Sequence, residues 1–319
     1  MSTLLLRRSD VARNLQSLTL LADMREAFRT DALARTVPPQ RVRALLHAEG
    51  TASVLFPGSV PGVPAYTVKV QARFSPQASL ASGVLQLHDL ASGGLLALMD
   101  SAHLTAVRDG VLGALAADVL ARPDASSVAL LGAGPQAVLQ LKSLRLVRTL
   151  RQAFVYDADP VLTAAFAARM YKELSLPVRM AGSVQEAVEA ADIVVMSSGS
   201  RPATLLPEML RPGMHVTVLS TEESGKVELS PELLQRALFV CDHRGQALAG
   251  GLGGAGVTEE AIHAELGEII AGMRPGRTSA GQLTVFGGVG LPFQDLAAAW
   301  HVYQAAQGDE DVQRIDFGT

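Results

Sequence analysis

The hydrophobic positions of the chain follow two different patterns. From about residue 127 onward, short apolar runs alternate with segments that have helical periodicity. This alternation predicts parallel strands joined by helices, with both faces of the sheet covered. The predicted strands are 127–134, 153–157, 177–181, 192–197, 214–220, 237–242 and 282–288.

The front of the chain lacks this alternation. Apolar runs at 41–56, 65–71, 83–89 and 94–99 are separated by Gly, Pro and Ser turns, which predicts an antiparallel or mixed sheet. A long Ala- and Leu-rich helix is predicted from about Ser101 to Leu120, ending near Arg122-Pro123. We therefore expect an α/β fold with a doubly wound parallel domain at residues 119–297. It is inserted in a mixed α+β domain made of residues 1–118 and 298–319.

Composition removes several classes of protein. The chain has 319 residues, 48% of them hydrophobic and 18% charged, which argues against disorder. A net charge of -4 without a basic cluster argues against nucleic acid or a membrane surface as partner. Cys241 is the single cysteine, so an internal disulfide and a multi-cysteine metal site are excluded. With no signal-peptide core and no long apolar run, we expect a cytoplasmic location.

A glycine motif follows the first strand of the parallel domain. Gly132, Gly134 and Ala137 form a GxGxxA pattern that leaves an apolar strand and opens a helix, as dinucleotide binding requires. Gly132 permits the tight turn, Gly134 allows a pyrophosphate to approach, and Ala137 keeps the helix close to the sheet. Pro135 suits the first helical position. The pattern predicts a Rossmann-type nucleotide site at the helix N-terminus.

Asp157 ends the next strand, 25 residues after Gly132. A carboxylate there suits the ribose hydroxyls of NAD and would repel the 2′-phosphate of NADP, so NAD is the expected cofactor. The competing interpretation is that Asp157 only caps the following helix, although Asp159-Pro160 is also placed to do so.

Cations in the front half are candidates for holding a carboxylate. Lys69 lies among apolar strand residues, where it would hold a carboxylate or act as a catalytic base. Arg41 and Arg108 are possible partners in holding the carboxylate. The alternatives are an outward-facing strand lysine and an ion pair of Arg108 with Asp100 or Asp109. Glu222 follows a parallel strand, where it would either transfer a proton or be a solvated loop acid.

Several segments together resemble the ornithine cyclodeaminase/mu-crystallin family, in the same order and over nearly the whole chain. They are PPQR (38–41), YTVKV (66–70), LTAVR (104–108), LLGAGPQAVLQL (130–141), VYDADP (155–160), RPGMHVTVLSTEESGKVEL (211–229) and GMRPGRTSAGQLTVFGGVGLPFQDLAAAWHVYQ (272–304).

The resemblance implies a homodimer whose substrate-binding and dimerisation domain comes from both chain ends. It also implies hydride transfer between NAD(P) and the α-carbon of an amino or imino acid. The roles that it implies for the substrate are carboxylate binding at Arg41, Lys69 and Arg108, and pocket lining at Gly288 and Val289. Those that it implies for the cofactor are phosphate contact at Pro135 and Gln136, ribose contact at Asp157, and further contacts at Ser198, Leu219, Ser220, Thr221 and Gly288.

Departures from the family pattern leave the reaction open. The family's catalytic aspartate falls at Glu222, one methylene longer, and Val54 stands where ornithine cyclodeaminases carry an acid for the distal amine. We expect an NAD-dependent dehydrogenase or ketimine reductase acting on a small amino acid or cyclic imino acid. The alternatives are a cyclodeaminase without net redox change and a non-catalytic NAD(P)H-binding protein like the crystallins.

Overall fold

The computed structural model describes residues 2–34, 37–46, 50–73, 82–197, 205–219, 229–251 and 257–317. Its strands are β1 (Thr3–Leu6), β2 (Gln40–Leu45), β3 (Thr51–Gly58), β4 (Ala65–Arg73), β5 (Ser82–Asp89), β6 (Leu95–Asp100), β7 (Ser127–Leu131), β8 (Gln152–Tyr156), β9 (Val178–Met180), β10 (Ile193–Met196), β11 (His215–Leu219), β12 (Leu238–Cys241), β13 (Ala264–Glu265), β14 (Thr284–Gly288) and β15 (Gln313–Ile315).

The helices lie between these strands in chain order. They are α1 (Arg8–Asn14), α2 (Ser17–Leu33), α3 (Ser101–Leu120), α4 (Pro135–Leu144), α5 (Pro160–Leu174), α6 (Val184–Glu189), α7 (Pro231–Arg236), α8 (Arg244–Gln246), α9 (Leu266–Ile270) and α10 (Pro292–Ala306). None of the helices in the described ranges combines the length and the hydropathy that a membrane-spanning segment requires.

Contacts divide the chain into two compact units. The first unit is Met1–Arg108 with Leu291–Thr319, and the second is Asp109–Gly290. The predicted domain boundaries at 118/119 and 297/298 differ from these unit boundaries and stay a prediction.

The first unit contains a seven-stranded sheet in its described part, in the order β15-β1-β6-β5-β4-β3-β2. Only β1 and β6 pair in parallel among these strands, so the sheet is mixed, as predicted. The predicted strand 41–56 is instead a hairpin of β2 and β3. Helix α10 packs on β3, β4 and α2, where Phe28 and Phe293 meet edge-to-face with ring centroids 5.0 Å apart.

The second unit contains an eight-stranded sheet, all parallel where described, in the order β13-β12-β14-β11-β10-β7-β8-β9. In chain order, β8 and β9 follow β7 toward one edge of the sheet, and β10 then lies on the other side of β7. This reversal is the switch point at which doubly wound sheets bind ligands. The α/β, Rossmann-type fold class is confirmed. Both faces of the central strands are buried, which explains their nearly continuous apolar runs.

Candidate active site

Lys69 lies in the middle of β4 with only 1% of its surface exposed. Its Nζ is 2.6 Å from Asp295 Oδ2, in the first turn of α10, and donates to Thr105 Oγ1 at 3.3 Å. The alternative of an outward-facing strand lysine is therefore wrong. A lysine is rarely buried to this degree unless its charge is paired, and Asp295 supplies the pairing.

Arg108 joins the same carboxylate from α3 and is 2% exposed. Its Nη2 and Nε lie 2.9 Å and 3.1 Å from Asp295 Oδ1, and its Nη1 donates to Gln294 Oε1 at 3.0 Å. An acid that pairs with Arg108 is thus Asp295, which lies far along the chain. We call Lys69, Arg108, Gln294 and Asp295 the cation cluster.

The electrostatics of the cation cluster keep Asp295 ionised. Burial raises the pKa of the Asp295 carboxyl, but the charges of Arg108 and Lys69 outweigh burial, and the pKa ends below its usual range. Together, Lys69, Arg108 and Asp295 carry one net positive charge.

Arg41 shares a sheet face with Lys69. Arg41 pairs with Leu55 across β2 and β3, and Leu55 pairs with Lys69 across β3 and β4. Two strand spacings separate their backbones by about 10 Å. Val54 instead pairs with Val70, so it belongs to the opposite face. The structure does not place Val54 with the cation cluster. The identity of residue 54 therefore no longer argues against ornithine as the substrate.

The glycine motif of the second unit forms the predicted turn between β7 and α4. Gly132 has φ of +117°, a conformation that L side chains rarely adopt, and its N–H donates to Tyr156 O at 2.7 Å. Gly134 is the N-cap and Pro135 the first residue of α4, while Ala137 is completely buried. The turn therefore directs the N-terminus of α4 toward the switch point of the sheet.

Two details of this turn fit a dinucleotide. Apart from its chain neighbours, no described atom lies within 4 Å of the place that a Cβ at Gly134 would occupy, so the backbone is open to a phosphate. Gln136 Nε2 is buried and has no hydrogen-bond partner among the described residues. A buried donor of this kind is costly unless a ligand or water satisfies it.

Asp157 follows β8 and contacts the glycine turn. Its Oδ2 accepts from the Ala133 N–H at 2.9 Å, and its Oδ1 accepts from the Asp159 N–H at 3.0 Å. Asp159 caps α5 by accepting from the N–H groups of Val161 and Leu162. Asp159 therefore caps α5, and the interpretation of Asp157 as the helix cap is wrong.

The other described candidates of this unit lie at the same edge of the sheet. Leu219 ends β11 and pairs with Gly288 at the end of β14, which brings the two predicted positions side by side. Val289 follows Gly288 and is held by Asp242, whose Oδ2 accepts from the N–H groups of Val289 and Gly290 at 2.9 Å and 2.8 Å. Sequence reasoning missed Asp242, although it is the last residue of the predicted strand 237–242 and directly follows β12.

Four predicted site residues lie outside the described residues: Ser198, Ser220, Thr221 and Glu222. Their assigned roles rest on the family resemblance alone. Sequence reasoning also missed Gln294 and Asp295. The available signal was an isolated polar pair in the otherwise apolar run LPFQDLAAAW.

Comparison with known proteins agrees with this arrangement. The model of the ornithine cyclodeaminase/mu-crystallin family matches residues 1–310. The chain belongs to this family. The alanine dehydrogenase of Archaeoglobus fulgidus, a family relative, is 31% identical over 336 aligned positions that cover 99% of each chain.

Solved structures of the family match over almost the full length. The Δ1-pyrroline-2-carboxylate reductase of Thermococcus litoralis, in complex with NADH and L-proline, aligns with a TM-score of 0.89 at 28% identity, covering 98% of this chain and 100% of that one. An archaeal alanine dehydrogenase dimer with bound NAD aligns with a TM-score of 0.91 at 28% identity, covering 99% and 100%. The family predicted from sequence is confirmed.

Proposed function

We propose that the protein is an NAD-dependent oxidoreductase that transfers hydride at the α-carbon of a small amino acid or cyclic imino acid. Both the archaeal alanine dehydrogenase and the pyrroline-carboxylate reductase that it resembles act on such compounds. The observation that carries the proposal is the cation cluster, in which two buried cations lie side by side against the carboxylate of Asp295.

The cation cluster suits the carboxylate that these substrates have in common. Arginine N–H groups and a lysine ammonium form strong charge-assisted hydrogen bonds with carboxylate oxygens. In a site this well buried, such bonds are less weakened by water than at a surface. We assign substrate-carboxylate binding to Lys69 and Arg108, with Arg41 completing the site from the same sheet face.

The second unit supplies the cofactor residues of the proposal. Gly132, Gly134, Pro135 and Gln136 would hold the pyrophosphate, and Asp157 would hold the ribose. The Asp157 carboxylate would repel a 2′-phosphate, which favours NAD over NADP. When bound, the nicotinamide supplies or accepts the hydride.

The residues of this chain orient the substrate and move protons. Fixing the carboxylate restricts the α-carbon to one orientation, which removes much of the entropic part of the barrier. We assign proton exchange at the substrate nitrogen, or at attacking water, to Glu222. The longer side chain of glutamate relative to the family aspartate still carries the carboxylate that this step needs.

We further propose that two copies of the chain form a homodimer through the face of the first sheet opposite Lys69. Val42, Val54, Val70 and Val84 are direct cross-strand neighbours there, forming one row across four strands. Val42, Val70 and Val84 are 56%, 41% and 45% exposed in the single chain. A continuous apolar row of this kind is unusual on a water-facing sheet, and the similar archaeal enzyme is a dimer.

The test follows NADH absorbance in both directions. Alanine, proline, ornithine and lysine are offered with NAD, and pyruvate plus ammonia and cyclic imines are offered with NADH. Lys69→Met should abolish turnover and leave NADH affinity nearly unchanged, because the side chain keeps its length and loses its charge. Lys142→Met is the matched control, since Lys142 forms a partly exposed ion pair with Glu173 on α5.

Three outcomes would contradict the proposal. Equal loss of turnover and NADH affinity in Lys69→Met would remove Lys69 from the substrate site. Tight NADH binding without turnover of any substrate would favour the non-catalytic alternative. Ammonia release from ornithine without net change in NADH would identify a cyclodeaminase instead.

A further inference from the structure

Asp295 contacts both cations of the cluster, each through a different oxygen. Oδ2 lies 2.6 Å from Lys69 Nζ, while Oδ1 lies 2.9 Å from Arg108 Nη2 and 3.1 Å from Arg108 Nε. A carboxylate is planar, so a single side chain sets the positions of both cationic groups. Gln294 reinforces this by accepting from Arg108 Nη1 at 3.0 Å.

Because the cation cluster is buried, its two cations depend on the contacts with Asp295. Asp295 has no exposed surface, and Lys69 and Arg108 are 1% and 2% exposed. Two cations in such a place repel each other and lose their hydration, so an adjacent anion is needed to hold them together. Because the neighbouring cations keep the pKa of Asp295 below its usual range, the anion persists at neutral pH.

The backbone that carries Asp295 is also fixed. Asp295 lies in the first turn of α10, where the helix dipole favours a negative charge. Phe293 in the same turn packs edge-to-face on Phe28 of α2. Gly58 of β3 approaches the Pro292 carbonyl so closely that a Cβ would overlap it. The carboxylate is thus held on a rigid support, as precise orientation of its partners requires.

We propose that Asp295 is a positioning residue, which holds Lys69 and Arg108 as an aligned pair for one substrate carboxylate without itself touching the substrate. This inference rests on the proposed function of the cation cluster. It assigns to α10, near the end of the chain, control over substrate binding by residues from β4 and α3.

The experiment measures carboxylate binding without relying on turnover. Pyrrole-2-carboxylate, a planar carboxylate that resembles a cyclic imino acid, is titrated calorimetrically into the full-length protein. Asp295→Asn keeps the shape and removes the charge, so the cations lose alignment. We expect affinity for the probe to fall by about tenfold or more, the effect of losing one charge-assisted contact. For a turned-over substrate, KM should rise more than kcat falls, and NADH affinity should not change.

Asp10→Asn is the matched control. Asp10 is another fully buried aspartate of the first unit, and it pairs with Arg7 and Arg13. Its amide variant should lose stability and keep probe affinity within about twofold, which separates positioning from a general loss of buried charge. Asp295→Glu is the second variant and serves if Asp295→Asn fails to fold. It retains the charge but displaces the oxygens by one methylene, so probe affinity should still fall.

The possible results separate the two proposals. If folded Asp295→Asn binds the probe as tightly as the wild type, or more tightly, Asp295 competes with the substrate carboxylate and does not position Lys69 and Arg108. Wild-type affinity in Asp295→Glu would likewise overturn positioning, since charge alone would suffice. A wild-type protein that neither binds the probe nor turns over any substrate would overturn the carboxylate site itself, and with it both proposals.

Discussion

Asp157 Oδ2 accepts a hydrogen bond of 2.9 Å from the backbone N–H of Ala133, which joins the end of β8 to the glycine turn after β7. The other oxygen accepts from the Asp159 N–H, so the carboxylate is oriented by the protein alone. A ribose would therefore meet an acceptor that is already in place, which lowers the entropic cost of binding.

Asp157→Ala should weaken NADH binding by about tenfold or more and reduce the preference for NADH over NADPH, because both the acceptor and its repulsion of a 2′-phosphate disappear. Dissociation constants for the two cofactors, measured by fluorescence titration, check this. Asp159→Ala is the control on the same loop. It removes the α5 cap at a cost of about 1 kcal/mol and should leave the cofactor preference unaltered. An unaltered preference in Asp157→Ala would exclude Asp157 from the ribose contact.

Gly58→Ala should impair both folding and substrate binding. A Cβ at this position would overlap Thr67 Oγ1 and the Pro292 carbonyl oxygen, which forces α10 away from β3. We expect a loss of about 1–3 kcal/mol in the free energy of unfolding, measured with urea, and a higher KM because the first turn of α10 carries Asp295. Gly308→Ala, where a Cβ would meet no described atom within 4 Å, should change neither quantity. Normal KM in Gly58→Ala would show that α10 does not move.

Much of the second unit was predictable because its strands are buried on both faces and its helices are amphipathic. All seven predicted strands of this unit are present, and among its described strands only the two-residue β13 was missed. The first unit was harder, since a sheet with one exposed face has weaker hydrophobic contrast. The apolar run 41–56 was predicted as one strand, but the chain reverses within it between β2 and β3. The helix predicted at Ser101–Leu120 is present as α3.

The candidate site was predicted unevenly for a related reason. Gly132 and Asp157 belong to a local motif, whose spacing encodes its geometry. Lys69 and Arg108 could be singled out as cations among apolar neighbours, but their shared partner Asp295 is 187 positions beyond Arg108. No sequence periodicity relates residues so far apart. They come together because α10 packs on the first sheet, so the cation cluster can be recognised only in the structure.

Val70→Asp should convert the proposed homodimer into monomers. Val70 is in the middle of the valine row, where one carboxylate per chain would face its copy across an apolar interface. Sedimentation velocity on the purified protein measures the change. Val161→Asp is the matched control, because Val161 is 74% exposed on α5 of the other unit and should tolerate the charge. A Val70→Asp protein that keeps the wild-type sedimentation coefficient would place the interface elsewhere.

His215 should make the protein less stable as the pH falls. Its ring nitrogens contact Thr284 Oγ1 at 2.9 Å and Thr217 Oγ1 at 3.0 Å, and burial, with help from Arg277 and Arg148, lowers its pKa from 6.5 to about 3. Between these two values the unfolded chain binds a proton that the folded protein does not. The free energy of unfolding therefore falls as the pH drops through this window, by up to about 1.4 kcal/mol per pH unit from this residue.

Urea unfolding at a series of pH values between neutrality and about pH 4 checks this. His215→Asn should be less stable than the wild type at neutral pH, because its buried hydrogen bonds are disturbed, and its stability should depend less steeply on pH. Thr217→Val is the control, since it removes one hydrogen bond and leaves the imidazole in place. It should lower stability at every pH and keep the wild-type slope. The same slope in His215→Asn as in the wild type would mean that the folded protein protonates His215 as readily as the unfolded chain does.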